Sequence, residues 1–111
     1  MVQFRRNKKA NIHGTSLIGT FTVSPKRLVD VFGIPDKSDE YKVSGEYAFT
    51  RRGDPKIVFT LYDWKSTSLY DDSYETPVQF WGSNSPYGFH IGGHSRKYLT
   101  EFTNWLKDQV A

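Results

Sequence analysis

Apolar and polar residues alternate along Ser16–Val23 (SLIGTFTV), with Leu17, Gly19, Phe21 and Val23 on one side and Ile18, Thr20 and Thr22 on the other. A period of two with β-branched residues predicts a strand. The period then lengthens. Ser24-Pro25 is a helix start, a capping hydroxyl followed by a residue tolerated in the first turn. Leu28, Val29 and Phe32 share one face of a short helix over Pro25–Phe32. Gly33 suits the position just past that helix, and Pro35 prevents its continuation. Asp36–Glu40 (DKSDE) reads as a polar loop.

Alternation returns over Lys42–Thr50, with Val43, Gly45, Tyr47 and Phe49 on one face. It returns again over Lys56–Asp63, where Ile57, Phe59 and Leu61 face one way and Val58, Thr60 and Tyr62 the other. The turn-rich RRGDP between the two runs predicts an antiparallel hairpin. Trp64–Thr76 has no period and reads as a long connection, a kind of segment that often carries function in a compact domain. Pro77–Trp81 (PVQFW) reads as a short strand or edge, and Tyr87–Ile91 as the last strand, ended by Gly92-Gly93. Ser95–Val110 is a helix, with Tyr98, Leu99, Phe102, Trp105, Leu106 and Val110 on one stripe. The predicted fold class is α+β: an antiparallel sheet of three to five strands with two helices packed on one face, in the order β-α-β-β-(β)-β-α. The free sheet face would present Thr, Ser, Glu and Tyr.

Composition narrows the class. The 111 residues fit one domain, and 18 Phe, Tyr and Trp residues exclude disorder for most of the chain. With no cysteine there is no disulfide framework, thiolate metal site or cysteine nucleophile. No apolar stretch approaches the roughly 20 residues that span a bilayer, and the polar, basic start does not read as a secretory signal. No membrane partner and a cytoplasmic location are therefore expected. The net charge of +3 is unevenly placed. Residues 1–14 hold Arg5, Arg6, Lys8 and Lys9 and no acid, which leaves 11 basic and 12 acidic side chains for the other 97 residues. This predicts a flexible basic N-terminal arm over 1–14, suited to nucleic-acid phosphates, and a single α+β domain over 15–111.

Candidate chemistry gathers at FHIGGHSRK, residues 89–97. Two glycines between a strand and a helix permit close approach of a ligand to the backbone, and a helix N-terminus attracts anions. Gly92, Gly93 and Ser95 would supply donors, His90 and His94 imidazoles, and Arg96 and Lys97 positive charge. Lys26 and Arg27 repeat the basic pair in the first turn of the short helix. Trp64 and Trp81, in or beside the long connection, would stack on a ligand or plug the sheet. The competing structural reading makes Gly92-Gly93 a tight turn with its basic neighbours in water. No cofactor or metal is expected, because the acidic stretch Asp63, Asp71, Asp72 and Glu75 lacks a calcium-loop spacing. A hydrolase would have to use His90 or His94 as base with Asp63 and Ser95, a set that no spacing supports.

Three short motifs in order, Phe32-Gly33-Ile34-Pro35, Tyr62-Asp63-Trp64-Lys65 and His90-Ile91-Gly92-Gly93-His94, resemble a group of small tailed-phage proteins of undefined role. The resemblance covers roughly Gly14–Val110 and implies a phage-encoded accessory protein of the bacterial cytoplasm, with no catalytic residues attached. The expected function is thus a non-enzymatic binding protein acting on a host protein or nucleic acid. A nucleotide or second-messenger anion is the alternative ligand.

Overall fold

The computed structural model describes residues 3–111. Its sheet has five strands: β1 (Phe4–Arg6), β2 (Ser16–Val23), β3 (Glu46–Arg51), β4 (Asp54–Tyr62) and β5 (Tyr87–Gly93). They lie in the order β1-β3-β4-β5-β2, and every neighbouring pair is antiparallel. Three helices, α1 (Pro25–Phe32), α2 (Pro77–Trp81) and α3 (Leu99–Val110), complete the α+β fold. No helix among the described residues is long and apolar enough to cross a membrane.

The alternation seen in the sequence decides the layers. Phe49, Phe59, Leu61, Phe89 and Ile91 point to the helices and are buried there with Leu28, Phe102 and Leu106. Phe59 stacks on Phe102 at 4.6 Å between ring centroids, and Phe4 meets Phe102 edge-on at 5.2 Å. Buried aromatic pairs of this kind add about 0.5–1.5 kcal/mol beyond the area they remove from water.

Besides the later start of β3, at Glu46 rather than Lys42 because Asp63 takes the Ser44 and Gly45 amides, three expectations change. Pro77–Trp81 is a helix rather than a strand: Thr76 accepts from the Gln79 amide at 3.2 Å while the Gln79 side chain accepts from the Thr76 amide at 3.0 Å. That reciprocal pair satisfies donors that would otherwise be free at the helix start. The last helix begins at Leu99, not Ser95, because Tyr98 takes a left-handed backbone at φ 69°. The third change is the basic arm, whose first two residues lie outside the described ones. Phe4–Arg6 is an edge strand paired with β3, and the Phe4 side chain is fully buried.

Because β1 and β2 run in the same direction at opposite margins, the nine residues Asn7–Thr15 must cross the sheet. Four inter-strand steps amount to about 19 Å, within the roughly 30 Å that nine extended residues reach. The helices occupy one face, so the crossing uses the other. The Asn7 side chain reaches the Thr50 hydroxyl at 3.4 Å, and the Asn11 carbonyl meets His94 Nε2 at 2.9 Å. Ala48 and Thr50, outward-facing residues of β3, are buried beneath this segment.

Candidate functional site

The part of the outer face that the crossing segment leaves open carries aromatic side chains from the two central strands. Tyr62 on β4 and His90 on β5 are direct cross-strand partners, with rings 5.5 Å apart and nearly perpendicular. Gly88 and Gly92 flank His90 on the same face, so its ring stands on a floor without taller neighbours along β5. Trp64, just past β4, lies over His90 at 6.0 Å and 23° between planes.

Trp64 is held in this position by its backbone. Its amide donates to the Tyr87 hydroxyl at 3.1 Å, and that hydroxyl donates to the Trp64 carbonyl at 3.3 Å. The next residue, Lys65, has a left-handed backbone at φ 54° and gives its amide to the Lys42 carbonyl at 2.6 Å. That conformation costs a non-glycine residue about 1–2 kcal/mol. Asp63, two residues upstream, anchors the chain on this side of the bend. Asp63 is fully buried, and its two carboxylate oxygens accept from the Ser44 and Gly45 amides and from the Ser44 and Ser66 hydroxyls at 2.6–3.0 Å. One carboxylate thus fixes both loops that border Trp64.

Those loops add charge and further rings. Lys42 Nζ lies 5.7 Å from the Trp64 ring and 6.0 Å from that of Tyr41. Lys65 Nζ lies 5.7 Å from Trp64 and 5.1 Å from Tyr70, and Tyr41 and Tyr70 meet at 5.4 Å. Trp64 remains 38% exposed and Tyr41 52%. Burial works to raise the Asp39 carboxyl, but the amides of Val43, Tyr41 and Lys42 and the Lys42 charge outweigh it and hold the group below its ordinary value. Burial, then the charge of Glu46, pushes the Tyr62 phenol up, so it stays a neutral aromatic at any physiological pH. The arrangement can stack a flat π-system and offer two ammonium groups to an anion beside it.

A cavity of about 260 Å³ lies at the border of this face, where Lys8, Ala10 and Ile12 of the crossing segment pass over Asp36, Lys37, Glu46 and Ala48. Burial first, then the charges of Asp36 and Asp39, pushes the Glu46 carboxyl up. Glu46 pairs with Tyr62 across β3 and β4, so the cavity adjoins the aromatic face.

Of the residues singled out in the sequence, Trp64 and His90 come together. The Gly-Gly pocket does not form. Gly92 and Gly93 sit inside β5, paired with Thr60 and Phe59 on one side and with Leu17 and Ser16 on the other. They are glycines because of packing: a Cβ on Gly92 would lie 2.5 Å from Thr60 Oγ1, and one on Gly93 would lie 2.7 Å from Ile18 Cδ1. The neighbouring polar groups disperse. His94 holds the crossing segment, Ser95 Oγ accepts from the Lys97 amide at 2.9 Å, and Arg96 donates to the Ile18 carbonyl at 2.9 Å. Lys97 lies over Tyr98 at 5.3 Å. Nor do His90, His94, Asp63 and Ser95 converge, since Asp63 is committed to Ser44, Gly45 and Ser66. Trp81 packs on the helix side against Tyr47 and Phe89, with Nε1 donating to Ser44 Oγ at 3.0 Å, and so is no part of the aromatic face.

The four basic residues of the N-terminal segment also separate. Arg6 turns inward, donating to the Phe32 carbonyl at 2.9 Å, facing Asp36 at 3.4 Å and covering the Tyr47 ring at 4.8 Å. Lys8 faces Asp36 at 3.7 Å, while Arg5 and Lys9 are exposed. Sequence reasoning missed Tyr41, Lys42, Tyr62 and Lys65 as members of one cluster. The Tyr62-Asp63-Trp64-Lys65 motif was the available signal for the last two, since it places a ring and a cation at the end of a strand. No protein-family model matches the chain, and no curated protein matches it significantly.

Proposed function

We propose that this protein is a non-enzymatic binding protein that takes single-stranded nucleic acid on the open half of its sheet. Trp64 is the main stacking ring, and Lys42 and Lys65 meet the adjoining phosphates. The observation that carries this reading is the position of Trp64: exposed, backed by His90, and within 6 Å of two ammonium groups. Aromatic rings on the open face of an antiparallel sheet, next to basic side chains, form the platform on which unpaired bases stack. A duplex keeps its π-faces internal and would gain little from such a surface. The resemblance to small tailed-phage proteins supports an accessory role, with a host or phage single strand as the target.

Fluorescein-labelled oligothymidylate and oligouridylate, titrated against the full chain, test this reading. Binding should weaken with salt at a slope of about −0.7 per phosphate neutralised. Trp64→Ala should cost about 1–3 kcal/mol of affinity. Retention of full affinity by Trp64→Ala, or equal affinity for duplex, overturns the reading. A melting-temperature rise with mononucleotides alone would favour the small-anion alternative.

A further inference from the structure

The two margins of the sheet are guarded very differently. β1 is three residues long and carries two arginines, whereas β2 runs for eight residues (SLIGTFTV) without a charge or a proline. Long uncharged edges are the ones to which another strand can add. At its start β2 is closed: the chain bulges between Leu17 and Gly19, and Arg96 takes the Ile18 carbonyl. Beyond that point, among the described residues, no hydrogen bond other than those to β5 reaches the backbone of Gly19–Val23. A groove of about 470 Å³ runs beside this free stretch, lined by Thr20, Phe21, Thr22 and, from α3, Thr103, Lys107 and Val110.

We infer that this groove is a docking site for an extended peptide of a partner protein, which adds as a sixth strand along Gly19–Val23. The backbone edge supplies hydrogen bonds, and Phe21 with Val110 gives an apolar seat for alternate side chains. Charge identifies the occupant. Lys107 is the one charged residue lining the groove, and no acidic side chain among the described residues pairs with it. An Asp or Glu on the incoming strand would supply that partner. A second copy fits less well, because a two-fold pairing of β2 with β2 brings the two Lys107 ammonium groups towards one another.

Panning a library of short random peptides against the immobilised full chain, followed by amide NMR with a selected peptide, tests the proposal. Selected sequences should alternate apolar residues and carry an acid. The Gly19–Val23 amides should shift and gain protection from exchange. Lys107→Glu, an exposed change that leaves the core intact, should weaken those peptides about tenfold and select basic ones instead. Trp64→Ala should leave peptide binding unchanged, which separates this site from the stacking face. Perturbation confined to other residues, selection indifferent to Lys107→Glu, or sedimentation of the free chain as a dimer with Gly19–Val23 already protected each overturns it.

Discussion

Ser44 and Asp63 are joined twice: the Ser44 amide donates to Oδ1 at 2.8 Å and its hydroxyl to Oδ2 at 2.7 Å. The same hydroxyl accepts from Trp81 Nε1, so one serine links the helix layer to the loops that display Trp64. Asp63→Ala strips four donors of their acceptor inside the protein. Each stranded donor costs about 1–3 kcal/mol where water cannot replace the partner, and partial relaxation brings the expected loss to about 3–4 kcal/mol. Urea unfolding of the variant measures it.

Arg5 and Arg6 are adjacent in sequence and opposite in role. Arg6→Ala removes the bond to the Phe32 carbonyl at the negative end of α1, the pairing with Asp36 and the cover over Tyr47. A loss of about 2 kcal/mol is expected, against less than about 0.5 kcal/mol for exposed Arg5→Ala. Deleting residues 1–14 should unfold the protein rather than trim its affinity, since Phe4 leaves with them. Circular dichroism of the three variants distinguishes these outcomes.

Lys65 couples strain to the proposed binding surface. Lys65→Gly and Lys65→Ala remove the same ammonium group, but only glycine relieves the left-handed backbone. The glycine variant should therefore be more stable than the alanine variant by about 1 kcal/mol, while both bind oligonucleotide equally weakly. Thermal unfolding and titration of the pair check both halves.

Glu46 sets a pH dependence. Burial and two neighbouring carboxylates raise its folded-state value above the ordinary 4.5, so the folded protein holds this proton more tightly than the unfolded chain does. The stability gained by that binding is fully present below 4.5 and is lost as pH rises through the folded value. Glu46→Gln should leave stability unchanged in the acid range and raise the melting temperature at pH 7. Asp71 acts in the opposite sense: the Ser73 amide and hydroxyl lower it, and its contribution is lost as pH falls below its ordinary 3.8.

What the sequence made legible follows from the length of each pattern. β2, β4, α1 and the body of α3 carry a full period, and the two layers follow from them. β1 has only Phe4–Arg6, too short for a period, and its basic residues resemble a solvated tail. α2 resembles a strand because Val78, Phe80 and Trp81 favour strands, although Thr76-Pro77 with Gln79 spells a capping box. Gly92-Gly93 reads locally as a bend because glycine signals backbone freedom. The overhanging Thr60 and Ile18 side chains that require it come from other strands and are invisible locally. The aromatic face depends on the register that sets Tyr62 opposite His90, a tertiary fact no single segment encodes.

The crossing segment also orders how the sheet is made. It tethers β1 to β2, the first two strands to leave a ribosome, yet each belongs at a different margin. β1 waits for its partner near residue 50, and β2 for one near residue 90. Only β3 and β4, joined by a tight turn, can zip at once. A nascent chain that ends before Tyr87 therefore holds the β3–β4 hairpin with β1 at its margin and a leashed, unpaired β2, and the barrier to completing the fold is the late return of that distant strand.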